Sequence, residues 1–220
     1  MLNKELISSS LPVLSPADTV LHAQQLLADY HLFQLPVVSE DKYIGLISEE
    51  DILNAGADDL QVQQLESRFS RVAAHANNHF LESVQLCIDY SLGVVPVVDK
   101  EREWIGAIPA AGLLRYLGKM IGAEEPGGLI VLEMNKTDFS FSEISKLVET
   151  NDAQITQLNT FRDGQQQLLH VTIKVNKLEI SDIVATFQRY EYTVKYYFGE
   201  ELYENELRSN YDHLMNYLNM

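Results

Sequence analysis

Two observations predict a mixed α/β (α+β) protein, in which a duplicated unit is followed by one further domain. Residues 20–38 (VLHAQQLLADYHLFQLPVV) recur at residues 80–98 (FLESVQLCIDYSLGVVPVV), an offset of 60, with nine of 19 positions identical. After one inserted residue the match resumes, IGLISEEDIL at 44–53 against IGAIPAAGLL at 105–114. The last third of the chain then shows strand and helix patterns in the order β-α-β-β-α-β, which fits a ferredoxin-like fold. Internal repetition dictates architecture. Four segments are therefore expected: 1–60 and 61–123 as the two repeats, 128–200 as the ferredoxin-like domain, and 201–220 as a C-terminal amphipathic helix.

Each repeat opens with a turn and a short polar residue, Asp18 or Asn78, suited to capping a helix. Val20, Ala23, Leu26, Leu27 and Tyr30 follow helical spacing in the first copy. Leu81, Val84, Cys87, Ile88 and Tyr90 do so in the second. Apolar runs at 32–38 and 92–98, rich in Val and Leu, predict buried strands. Charged turns at 39–42 and 99–103 lead to second strands ending at Ile47 and Ile108. A closing helix starts near Ser48 or Pro109, since proline is tolerated at a first helical position. Helix-strand-strand-helix units of this kind bury their apolar sheet faces against each other about a pseudo-twofold axis.

Strand h-x-h-Pro-h-h followed by Gly-h-h-Ser-x-x-Asp-h-h in the first copy, with the same frame repeated at this spacing in the second, resembles a pair of CBS domains over residues 5–120. CBS pairs are regulatory modules that often bind adenosine-containing ligands. The resemblance implies that Ser48 and Asp51 hydrogen-bond a ligand ribose, and that Phe33, Gln34, Leu35 and Pro36 line the base pocket, with backbone groups facing adenine. The chemistry is sound, because an ionised carboxylate accepts from two neighbouring hydroxyls in charge-assisted bonds about twice as strong as neutral ones. The same four residues also read as a capping box at a helix start, and both roles stay open. In the second copy Pro109 and Gly112 replace the serine and the aspartate, so a nucleoside is expected at the first site only. The second is expected to be empty or filled by its own side chains. Arg68, Arg71 and His75 on the connector are the nearest candidates for neutralising phosphate, with a solvated surface role as the alternative. AMP, ADP, ATP, NAD and S-adenosylmethionine all share the ribose contact, and sequence does not choose among them.

Beyond the linker at residues 124–128, residues 129–134 form an apolar strand. Residues 140–149 carry Phe141, Ile144, Leu147 and Val148 at helical spacing, with Asp138 or Ser140 as cap. Strands at 153–161 and 168–175 flank a turn at Asp163-Gly164. A helix at 180–190 turns Ile183, Val184 and Phe187 inward, and a strand at 192–198 closes the order. Following a CBS pair, this order is similar to the ACT-like domain of AcuB-type proteins, named for acetoin utilisation. ACT domains often bind amino acids at a glycine-containing first turn; here residues 135–139 hold no glycine, and no ligand is assigned. In residues 201–219, Leu207, Tyr211, Leu214 and Leu218 share a helical face suited to packing or to a homodimer contact.

Composition excludes several classes of function. The net charge of -16 comes from 8 basic and 18 acidic residues in 1–125, and 8 and 14 in 126–220. Such a field repels nucleic acid and anionic lipid surfaces, whose binding depends on clustered Lys and Arg. No stretch approaches the roughly 18 apolar residues of a membrane span, and the first ten residues lack a signal-peptide core, so a cytoplasmic location is expected. The single cysteine, Cys87, reads as a small core residue. His75 and His79 lie in the turn before a helix and need not share a face, and no metal is assigned. No nucleophile elbow, Walker loop or Gly-x-Gly-x-x-Gly motif is present, which leaves two expectations. The first is a non-enzymatic sensor of an adenosine ligand, acting through domain or dimer rearrangement. The second is a ligand-independent dimerisation or docking module for a partner protein.

Overall fold

A computed structural model describes residues 1–162 and 168–199. The Asp163-Gly164 turn and the C-terminal helix expected at 201–219 lie outside the described residues. The chain divides into two compact units, Met1–Gly118 and Lys119–Met220.

In the first unit, α1 (Val20–Tyr30) leads to the antiparallel hairpin β1 (Gln34–Ser39) and β2 (Lys42–Ser48), then to α2 (Glu49–Leu53). Repeat 2 follows with β3 (Ala74–His75), α3 (Leu81–Tyr90), the hairpin β4 (Val94–Val98) and β5 (Trp104–Pro109), and α4 (Ala110–Met120). Both hairpins shift register at one equivalent place, between Val37 and Val38 and between Val97 and Val98. The duplication therefore extends to backbone irregularities.

Two helix starts differ in detail from the sequence expectation. Thr19, not Asp18, caps α1 by accepting from the His22 N–H at 3.2 Å. Asp18 sits one residue too early and accepts from the Ser15 N–H instead. At α3 no side chain caps the helix, and Asn78 donates to Glu82. The buried face of α3 is narrower than expected: Val84 and Cys87 pack against the repeat 2 core beside buried Phe80 and Ser83, whereas Leu81 and Tyr90 are exposed and Ile88 is 69% exposed. Buried Asn3 accepts from the Ser83 hydroxyl at 2.7 Å and donates to the His75 carbonyl and to Glu82, which holds the N-terminal segment against this side of α3.

The repeats exchange segments. Ser8 of the N-terminal segment bridges Ala107 in repeat 2, and Ser70 of the connector bridges Leu46 in repeat 1. Leu6 accordingly belongs to the repeat 2 core, while Phe69 packs on the repeat 1 core. A glycine stands where each crossing segment passes. A Cβ at Gly45 would lie 2.6 Å from the Phe69 Cβ, and one at Gly106 would lie 2.4 Å from Ile7 Cγ2. The hairpins are also tied together, Tyr43 stacking on Trp104 and donating to the Val72 carbonyl at 2.9 Å.

The second unit contains β6 (Leu129–Met134), α5 (Phe141–Glu149), β7 (Ile155–Arg162), β8 (Leu169–Val175), α6 (Ser181–Arg189) and β9 (Thr193–Phe198). The sheet order is β7-β8-β6-β9 with every pair antiparallel, the ferredoxin-like arrangement expected from element order. Alternate residues of β6 (Ile130, Leu132 and Met134) meet Ile144, Leu147 and Val148 of α5 and Ile183, Val184 and Phe187 of α6 in one core. Ser140 caps α5, and Phe141 stays exposed because it falls outside the buried stripe.

Candidate functional site

Hairpin register brings the repeat 1 candidates together. Gln34 stands opposite Ser48 across β1 and β2, and the Phe33 carbonyl accepts from the Glu49 N–H at 2.8 Å, holding the start of α2 against the start of β1. Ser48 ends β2 and caps α2. Its hydroxyl donates to Asp51 Oδ2 at 2.5 Å and accepts from the Asp51 N–H at 3.1 Å, while the Ser48 N–H reaches the same carboxylate at 3.4 Å. Serine and aspartate thus close a capping box, half-buried at the surface. Removing the Ser48 hydroxyl is expected to cost about 1 kcal/mol of stability, measurable by urea denaturation of Ser48→Ala.

Other candidates separate. Leu35 and Pro36 are buried, Leu35 in the repeat 1 core, so their side chains are closed to a ligand. The Pro36 carbonyl accepts from the Leu14 N–H. The Gln34 carboxamide oxygen accepts from the Gly93 N–H at 3.1 Å and links the two repeats. Among the connector cations, Arg68 sits beside α2, donating to the carbonyls of Asp51 and Asn54. Arg71 instead pairs with Glu66 at an exposed position, and His75 lines a different, smaller hollow with Asn77 and Asp99.

A hollow of about 480 Å³ lies beside Pro109. Repeat 2 contributes Gly93, Pro109 and Ala111, and repeat 1 contributes the end of α1 with Tyr30, His31 and Phe33. Ser8 and Ser10 come from the crossing N-terminal segment. The position that the resemblance gives to the repeat 1 base pocket, Phe33, therefore also walls the repeat 2 end. Of the two alternatives expected for the second site, empty or filled by its own side chains, the hollow speaks only to the second: those side chains leave it open. Sequence reasoning placed Tyr30 on the buried helix face and left out Ser8, Ser10 and Gly93. A glycine opposite Phe33 in the repeat alignment was the available signal, since a missing ring leaves room.

A second hollow of about 440 Å³ lies in the ferredoxin-like unit, where Glu133, Asp138, Glu143 and Glu191 supply four carboxylates. Asn135 and Asp138 of the turn left without a ligand are in its wall. Burial, then a hydrogen bond to Glu143 and its negative charge, push the Tyr192 phenol up to about 12. Glu133 accepts from Lys195 at 2.8 Å and lies 3.6 Å from buried His170, whose ring stacks on Phe161. Among the described residues no group of three His, Cys, Asp or Glu is placed to hold a metal ion. His79 Nδ1 accepts from the Leu81 N–H. Cys87 is half-buried, and burial raises its thiol pKa. Nor is any helix among the described residues long and apolar enough to cross a membrane.

Residues 4–58 match the family model of the CBS domain. Inosine-5'-monophosphate dehydrogenase of Methanocaldococcus jannaschii is 25% identical over 146 residues, 66% of this chain and 29% of that protein. The chain thus spans less than a third of that relative's length. A CBS domain pair/ACT domain protein of Thermotoga maritima is similar at a TM-score of 0.50 and 20% identity, over 55% of this chain and 99% of that one. A Vibrio cholerae protein assigned to acetoin utilization (AcuB) reaches 0.48 and 18% identity, over 57% of this chain and 98% of that one.

Proposed function

We propose, for a chain that carries a CBS-domain pair ahead of a ferredoxin-like domain, that it is a non-enzymatic regulatory protein sensing an adenosine-containing ligand at Ser48 and Asp51. The observation that carries this reading is the asymmetry of the duplicated unit. A serine hydroxyl and a carboxylate converge at the start of α2 in repeat 1, while repeat 2 holds Pro109 and Gly112 at the equivalent place. The shared capping box does not oppose the reading: a carboxylate has more acceptor capacity than one serine uses, and two ribose hydroxyls are donors that match it. Arg68, exposed beside α2, is a cation within the same neighbourhood that supports a phosphate-bearing ligand.

Binding at that site moves a two-state arrangement of the domains, or of a homodimer, only if the ligand favours one state over the other. AMP, ADP, ATP, NAD and S-adenosylmethionine all offer the ribose edge, and the regulated partner protein is outside what these residues specify.

Thermal unfolding with that panel tests the reading. At a ligand concentration 100-fold above Kd, mass action stabilises the protein by about 2.7 kcal/mol, roughly 10 °C in Tm for a domain of this size. Asp51→Ala removes charge-assisted bonds worth about 1.5–3 kcal/mol, an affinity loss of roughly 10–100-fold. At the same ligand concentration a 100-fold loss leaves about 0.4 kcal/mol, close to no shift. The unliganded variant melts slightly lower, having lost part of its cap, so the increment on adding ligand is the quantity to read. Should none of the five compounds raise the melting temperature of the unmutated protein, the proposal is wrong.

A further inference from the structure

We propose that the face of the ferredoxin-like sheet turned away from α5 and α6 is the docking surface for this chain's own residues 201–219, laid as a cover along its two central strands. The proposal is independent of the Ser48 and Asp51 reading.

Side chains alternate along a strand, so each strand of the sheet serves two faces. Ile130, Leu132 and Met134 face the core shared with α5 and α6. Leu129, Val131 and Glu133 therefore face the other way, and register sets them beside Lys174, Thr172 and His170 of β8. Neither α5 nor α6 lies on that side, yet Val131 and His170 are each only 2% exposed. The linker reaches this face at one corner, where the Gly122 carbonyl accepts from buried Lys174. His170 lies four residues further along β8, roughly 13 Å away, so that contact does not account for its burial.

The pattern of exposure gives the shape of what does. Phe161 on edge strand β7, and Tyr196 and Phe198 on edge strand β9, share this face by register and stay about half exposed. Burial is thus concentrated on β6 and β8. Neighbouring strands are about 4.8 Å apart, and a helix with its side chains is about 10 Å across. One helix therefore covers two strands and leaves the outer two wet.

Residues 201–219 fit this role by reach, by pattern and by charge. Phe198, the last residue of β9, stands opposite Leu129, so the chain leaves the sheet beside the start of β6. Nineteen helical residues span about 28 Å, against roughly 20 Å for the six residues of β6. Leu207, Tyr211, Leu214 and Leu218 make an apolar stripe that needs a partner. The segment carries four acidic residues against the single Arg208, and the face offers Lys174 and Lys195. Only Gly199 and Glu200 separate it from β9, which gives the chain's own segment a far higher effective concentration than that of a second copy.

Cysteine scanning of the full chain in a Cys87→Ala background tests the proposal. Val131→Cys is paired in turn with Leu207→Cys, Tyr211→Cys and Leu214→Cys. At least one pair is expected to close a disulfide within a monomer, since bridging requires Cα atoms within about 7 Å. In a separate arm, maleimide labelling of Val131→Cys alone should quicken ten-fold or more once Leu207 and Leu214 are both changed to glutamate. The circular-dichroism spectrum of that variant should still report the sheet; should it misfold, the disulfide arm decides. No crosslink at any pair overturns the proposal, and so does an equal labelling rate in the folded glutamate variant. Crosslinks that form only between chains overturn it too, by giving the face to a second copy.

Discussion

Truncating Phe187 to alanine is expected to cost the ferredoxin-like unit about 3–5 kcal/mol. The ring is fully buried on α6 and meets Tyr192 edge-on at 5.6 Å, in the same core as Ile130, Leu132 and Ile173 from the central strands. Removing it forfeits the transfer free energy of the ring and leaves a cavity between helix and sheet that those strands cannot collapse to fill. Strand register fixes their separation, and a cavity penalty therefore adds to the transfer loss. Urea denaturation measures the difference. Phe187→Leu, which keeps most of the volume, should recover more than half of it. A loss below about 1 kcal/mol for the alanine variant would mean that the sheet relaxes onto α6 and that the core is not close-packed there.

The second large effect is expected at Gly45. A side chain there runs into the Phe69 Cβ at 2.6 Å and the Ser70 carbonyl at 3.1 Å, both on the connector segment that crosses onto repeat 1. Neither can rotate away, since one is fixed to the backbone and the other belongs to the bridge between Ser70 and Leu46. Gly45→Val is therefore expected to destabilise by about 3 kcal/mol, at the upper end of overpacking costs, and to loosen the connector from the hairpin. Gly93→Val is the control, because it adds the same side chain where nothing lies within 4 Å. Equal losses at the two positions would show that glycine is merely tolerated in this fold and that the crossing segment does not set the cost. Thermal melts followed through Trp104, the single tryptophan, report on the same hairpin pair.

Both variants concern groups that local sequence reads differently. Phe187 was legible: Ile183, Val184 and Phe187 recur at helical spacing, and a stripe of that period must be covered whatever covers it. The role of Gly45 was not, because its neighbour Phe69 lies 24 positions on and belongs to a segment with no strong periodicity. The same non-locality explains α3. Helical spacing made Leu81, Val84, Cys87, Ile88 and Tyr90 an inward face; Val84 and Cys87 do pack on the core, while the burial of Ser83 beside them involves Asn3, 80 residues earlier. For the site, the Ser-x-x-Asp spacing was enough to anticipate a capping box, while the hairpin register that sets Gln34 against Ser48 came from the structure. The hollow beside Pro109 depends on three segments meeting and could be suspected only from Gly93 facing Phe33 in the alignment.

Sequence alone determined that a helix-strand-strand-helix unit is built twice, that a β-α-β-β-α-β unit follows, and that the Ser-x-x-Asp pair Ser48 and Asp51 occurs in one copy only. Those are consequences of period, of turn chemistry and of residue identity, all of which act over a few positions. Tertiary structure alone decided which segment crosses onto which repeat, how wide a face of α3 is buried, and where open volume remains. Those outcomes follow from steric exclusion between residues tens of positions apart. A one-dimensional pattern does not encode that exclusion until the chain has closed on itself.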